Sequence, residues 1–223
     1  MPMQQSSFGD KSRLTSWLTA MLYLDILITI MAFASGVMEY RLLRDFKNGV
    51  YDSETQILTL AEENDSRQLS VGVLQILITS ITLILGGIWI YRSNENVRKL
   101  GGKDMEFTPG WAVGWYFIPF ANLWKPYQAM KELWLYSQST EEWHKYQSPR
   151  ILPWWWGLWL ISGFLGQLSL RLSLRAEGID TLILASITEV VGDALDIPLI
   201  IIFLILIKQI YQGQMRQFRQ QMV

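Results

Sequence analysis

The chain has 223 residues, a formal net charge of -1, one histidine and no cysteine. Half of it is hydrophobic and 13% is aromatic, yet mean hydropathy is only +0.17, so apolar blocks are diluted by polar stretches and the chain reads as a multi-pass membrane protein. Without cysteine there is no disulfide framework, thiolate metal site or cysteine nucleophile, and the lone His144 excludes a histidine-rich metal centre.

Residues 1–14 are a short polar N-terminus ending near Lys11 and Arg13. Residues 15–38 form the first candidate span, about 35 Å long as a helix and so able to cross a bilayer with some tilt. The basic start and Ala32-Phe33-Ala34 also suit a cleaved signal peptide, but the apolar core is too long for one and carries Asp25. Residues 39–69 read as a polar outer loop with Asp52, Glu54, Glu62, Glu63 and Asp65, and with a helical piece over 54–63. The second span, 70–91, contains no charge, and Gly86-Gly87 near its end allows close helix contact.

Residues 92–150 form a basic loop in which 94–100 extends the second helix until Gly101-Gly102 stops it. Inside it lies a Trp/Pro-rich motif, 107–136. Thr108-Pro109-Gly110 signals a turn, Trp111 to Ile118 is apolar, and Pro119 breaks it. Eleven helical residues reach only about 16 Å, half a bilayer core, which favours a re-entrant or interfacial segment over a span. A new helix starts at Pro126. Leu123, Tyr127, Met130 and Trp134 then share a face, as in an amphipathic helix lying on the membrane surface.

The third span, 151–170, opens with Trp154, Trp155, Trp156 and Trp159. A short outer loop, 171–180, leads to the fourth, 181–207, which carries Glu189, Asp193 and Asp196 before Pro198. The tail, 208–223, is basic. Lysine and arginine number thirteen in the N-terminus, central loop and tail, against six in the two outer loops, which places both termini in the cytoplasm. The tryptophans then fall on the cytoplasmic side, where an apolar ring with an N–H is at home. The fold class is an all-α integral membrane protein with four transmembrane helices and a Trp/Pro-rich re-entrant or interfacial helical segment between the second and third.

The run Asn96-Val97-Arg98-Lys99-Leu100-Gly101, then Phe107-Thr108-Pro109-Gly110-Trp111-Ala112-Val113-Gly114-Trp115, then Ile118-Pro119-Phe120-Ala121-Asn122-Leu123-Trp124-Lys125-Pro126-Tyr127-Gln128 with Met130 and Glu132-Leu133-Trp134, resembles the bacterial membrane-protein family known as domain of unknown function 4328. The resemblance covers about the middle fifth of the chain, and the four-span layout is similar. It implies a bacterial cell (plasma or inner) membrane protein and supplies no catalytic residue or cofactor.

Two constellations carry candidate chemistry. In the motif, Trp111, Trp115, Asn122, Trp124, Lys125 and Tyr127 would bind a lipid headgroup, a small ligand or a membrane or cytoplasmic protein partner; otherwise its tryptophans are anchors and its prolines and glycines fold the loop. In the fourth span, Glu189, Asp193 and Asp196 lie near one helix face, and Asp25 falls mid-span in the first. A carboxylate at such depth costs about 2.5 to 3.5 kcal/mol and often marks an ion or proton path. Alternatively the helix enters the hydrocarbon later, leaving Glu189 and Asp193 in a wet vestibule paired with Arg171 or Arg175.

Enzyme patterns fail. Gly192-Asp193 lacks the earlier glycine of two-aspartate intramembrane proteases, with Val190 in its place, and Ser162-Gly163 has Leu160 where a membrane serine protease has glycine. There is no phosphate-binding glycine loop or HExxH. Basic residues interleaved with acids do not indicate nucleic acid. The expected role is a non-enzymatic accessory or sensor-like subunit docking a lipid or protein partner at the inner face, without cofactor or metal. The alternative is a small proton- or cation-coupled channel or transporter, a homo-oligomer because four helices enclose little space.

Overall fold

The structure, a computed structural model, describes residues 12–222, and all regular structure among them is helical. The order is α1 (Ser12–Lys47), α2 (Glu54–Lys99), α3 (Pro109–Gly114), α4 (Lys125–Gln138), α5 (Ile151–Leu174) and α6 (Ile179–Gln221), with single 3-10 turns at Trp115–Phe117, Ala121–Leu123 and Trp143–Lys145. The N-terminus expected over 1–14 lies almost wholly outside the described residues. By length and composition α1, α2 and α6 can cross a membrane.

The helices run well past their apolar parts. Most of the polar stretch 39–69 belongs to α1 and α2, leaving only 48–53 between them. Gly49 ends α1 at φ +66, where Gly49 N–H bonds the Phe46 carbonyl and Val50 N–H that of Asp45. Gly101, at φ +111, ends α2 with the same paired bonds, to Arg98 and, through Gly102, to Val97. Only glycine takes such angles without strain, and the motif satisfies carbonyls that a helix end orphans. The sequence 208–223, read as a tail, is helical to Gln221.

The chain divides into two compact units. The first holds the described residues up to Leu22, Thr82–Trp156 and the chain from Ile201, and the second Tyr23–Ile81 with Gly157–Ile200. In the first unit the core is built by Leu18, Trp89, Val97, Met130, Leu133, Leu152, Leu206 and Ile210, all at most 2% exposed. Trp89 donates to the Thr15 hydroxyl at 3.0 Å, and Trp155 stacks on Phe203 with ring centres 5.8 Å apart.

The second unit is held by polar bonds between helices. Glu39 accepts from Gln68 at 2.8 Å, Ser35 donates to Gln68 at 2.6 Å, and Arg67 donates to Ser35 and Asn64, which joins α1 to α2 through side chains. Ser169 reaches the Ala185 carbonyl and Ser186 that of Gly36. Gly36 is needed there, since a Cβ would meet Val190 at 2.8 Å. Small residues let helix backbones approach closely where apolar burial discriminates little.

Candidate functional site

The motif, in the first unit, is built on a clamped loop. Residues 105–107 are held from both sides. From α2, Asn94 donates to the Phe107 carbonyl at 3.0 Å and Arg98 to the carbonyls of Met105 and Phe107, both at 3.0 Å. From α4, the Glu132 carboxylate accepts the backbone N–H groups of Glu106 at 2.5 Å and Phe107 at 3.1 Å. Burial pushes the Glu132 carboxyl up, and those two N–H groups pull it partly back.

Thr108 caps α3 by accepting from Trp111 N–H, with Pro109 at the first helical position, where its missing N–H costs nothing. The chain leaves α3 through a 3-10 turn and reverses at Ile118-Pro119-Phe120. Ala121 N–H bonds the Pro119 carbonyl at 2.8 Å around Phe120, whose φ is +63, a γ-turn of the strained hand. Asn122 donates across this turn to the Tyr116 carbonyl at 3.2 Å, and Trp156 of α5 donates to the Leu123 carbonyl at 2.9 Å. The break at Pro119 and the helix beginning beside Pro126 therefore fall where the sequence puts them.

The six motif residues divide. Asn122 holds the turn. Lys125 bonds Glu106 at 3.2 Å and lies over the rings of Phe107 and Trp115, at 5.2 and 5.9 Å from their centres, so it and Trp115 serve the loop. Trp111, 50% exposed, packs on Trp115 with ring centres 4.7 Å apart, Trp124 is 48% exposed, and Tyr127 is half-buried. The most exposed aromatics of the motif are Phe117 and Phe120, at 80% and 79%, neither singled out from sequence. Trp111, Leu123 and Trp124 of the same motif are exposed as well.

The face of α4 differs from the expected one. Its buried residues are Pro126, Ala129, Met130, Leu133, Leu135, Tyr136 and Ser137, while Leu123 just before it is exposed and Tyr127 and Trp134 are half-buried. Within its unit α4 is a core element rather than a helix resting alone on a surface. Its C-terminal end is met by glutamines of α6. Gln217 donates to the carbonyls of Tyr136 (3.0 Å) and Ser137 (2.8 Å) and accepts from Thr140 N–H (3.0 Å). Gln214 bonds the Ser93 carbonyl and the Ser137 hydroxyl, and Gln221 the Leu100 carbonyl. Their i, i+3, i+7 spacing was the available signal for one shared face.

The acidic constellation lies in the second unit. Asp25, 3% exposed, accepts from the Thr79 hydroxyl at 2.7 Å, and Asp193, 5% exposed, accepts from the Gln75 amide at 2.8 Å. The other carboxylate oxygen of Asp193 is buried without a hydrogen bond. Asp196 is half-buried and within electrostatic reach of both Asp25 and Asp193, whereas Glu189 is exposed and within reach of Glu39 and Asp193. The expected pairing of Glu189 or Asp193 with Arg171 or Arg175 is not formed among the described residues. Among them, too, no cluster of histidine and carboxylates is arranged to hold a metal.

The family model for domain of unknown function 4328 (DUF4328) matches residues 54–212. The chain belongs to the DUF4328 family. The match takes in α2, the motif, α4, α5 and most of α6, so both constellations except Asp25 fall inside the DUF4328 domain. No curated protein and no solved structure matches the chain.

Proposed function

We propose that this DUF4328 protein is a four-span, non-enzymatic subunit of a bacterial cell membrane whose Trp/Pro-rich motif docks a lipid or protein partner at the cytoplasmic face. The observation that carries it is the exposure of Trp111, Phe117, Phe120, Leu123 and Trp124 on a loop held by Asn94, Arg98, Asn122, Glu132 and Trp156. An apolar surface on a stiff support loses little conformational entropy on binding.

The span that completes the four, third in chain order, is α5. Its 24 residues make about 36 Å of helix, long enough for the hydrocarbon core. Its early tryptophans lower mean hydropathy, although their rings suit the headgroup level. The four-span reading is supported by the start of α1, the central loop and the end of α6 sharing one compact unit, while 48–53 and 175–178 belong to the other. That grouping agrees with the lysine and arginine count, which puts the first set in the cytoplasm.

Partner recovery from native membranes tests the docking reading. Trp124→Ala is the cleaner variant, because Lys125→Ala would also release Glu106 and the rings beneath it. Loss of a stoichiometric partner or retained lipid with Trp124→Ala, at unchanged melting temperature, is expected; full recovery would remove the basis of the reading.

A second reading rests on Asp193. A buried carboxylate oxygen without a partner suits a group that takes up a proton or cation, with Asp25, Asp196 and Glu189 along the way, in a homo-oligomeric channel or transporter. Proteoliposome flux of protons or sodium that survives in both Asp193→Asn and Asp196→Asn would remove it.

A further inference from the structure

The C-terminal turns of α6 have two opposite faces. Ile210, Gly213, Gln214 and Gln217 are buried in the first unit, whereas Lys208, Gln212, Arg216 and Arg219 fall on the other side and are exposed. Along that outer side runs a recess of about 770 Å³, lined among the described residues by Tyr211, Gln212, Met215, Arg216, Arg219 and Gln220. Tyr211 and Met215 give its lining apolar surface, and its charged lining residues among those described, Arg216 and Arg219, are both positive. No Asp or Glu occurs from Ile197 to Val223. The guanidinium groups of Arg216 and Arg219 make no hydrogen bond or ion pair among the described residues.

The recess also sits at a suitable height. Lys208 is the first charge after the long apolar run of α6, so the hydrocarbon edge lies near it. Arg216 and Arg219 have their Cα atoms about 12 and 16 Å further along the axis. Helical side chains slant toward the helix N-terminus, here back toward the membrane, and a long arginine bends further that way. That brings the guanidinium groups toward the headgroup layer, where their planar forks match phosphate oxygens.

We propose that this recess binds the phosphate-bearing headgroup of an anionic lipid, with Arg216 and Arg219 as its ligands and Tyr211 and Met215 against the carbons of the headgroup. The site uses other residues than the motif, so it stands or falls separately from the docking reading.

The test titrates the purified full chain in neutral detergent with phosphatidylglycerol, phosphatidylcholine or inorganic phosphate, reading bound lipid by native mass spectrometry. The wild-type chain should retain phosphatidylglycerol over phosphatidylcholine, and Arg216→Gln/Arg219→Gln should bind phosphatidylglycerol about 30-fold more weakly, as two basic groups near an anionic surface imply. Raising salt to 0.5 M should erode the wild-type preference, since exposed charges are screened. Arg216→Lys/Arg219→Lys, the variant to rely on should the glutamine pair misfold, should keep part of the preference. Equal retention of both lipids, a preference unmoved by salt or by the substitutions, or displacement of the lipid by millimolar inorganic phosphate would overturn the proposal.

Discussion

Gly213 of α6 lies against the Ser137 carbonyl at the end of α4, so close that a Cβ at position 213 would collide with that backbone oxygen. Alanine normally improves a helix interior by up to about 1 kcal/mol over glycine. Here the sign should invert. Gly213→Ala is expected to lower stability by about 1–3 kcal/mol, the range for overpacking, seen as a lower melting temperature in detergent. Gly72→Ala, where nothing stands within 4 Å, should be neutral or mildly stabilising. Equal behaviour of the two variants would show that α4 and α6 do not cross so closely.

Gln217, 7% exposed, completes the same junction with three hydrogen bonds. Gln217→Met keeps the volume but leaves two carbonyls and the Thr140 N–H without a partner. Each such buried group costs about 1–3 kcal/mol. A melting temperature clearly below that of Gln220→Met, an exposed neighbour, is the expected outcome.

The helical character of the apolar stretches, the stop at Gly101 and the break at Pro119 were legible because each depends on local chemistry: apolar length, a left-handed angle, a missing N–H. The buried face of α4 was not. In a membrane protein an apolar residue can face lipid as readily as a core, so Leu123, Tyr127, Met130 and Trp134 marked a stripe without saying which way it points, and of the four only Met130 is fully buried. The small residues Ala129 and Ser137, which face inward, carry no hydropathy signal. Hydropathy also hid how far α1 and α2 run into 39–69, where only 54–63 was read as helical, since it measures apolarity rather than helicity, and it hid the role of Gln214, Gln217 and Gln221, which satisfy carbonyls, the first two from buried positions. In the motif, sequence singled out Trp111 and Trp124, which are exposed, but not the more exposed Phe117 and Phe120, since chemistry alone does not tell a ring that holds a loop from one that leaves it.

Glu132 ties pH to the stability of the clamped loop. Its carboxyl is held above the ordinary value of 4.5, chiefly by burial. A carboxyl raised on folding binds its proton more tightly in the folded state, so its contribution is full below 4.5 and is lost as pH rises through the folded value. Stability should therefore decline from about pH 4.5 upward by an amount that Glu132→Gln removes. A pH profile of melting temperature identical in the two proteins would mean that Glu132 titrates as an exposed acid.

Phe120 separates stability from docking. Its φ of +63 places a bulky residue where glycine is at ease, at a cost on the order of 1–2 kcal/mol, yet its ring is 79% exposed and contributes little to the unit's core. Such strain persists only where the surroundings enforce it, and here the Asn122 bond to Tyr116 and the Trp156 bond to Leu123 close the turn on either side. Phe120→Gly should therefore raise the melting temperature or leave it unchanged, while weakening recovery of whatever the exposed motif residues dock. Phe120→Leu keeps an apolar tip and the strain, so it should retain docking at wild-type stability. A destabilised Phe120→Gly protein would show that the ring holds the loop, and full docking by that variant would remove Phe120 from the docking residues.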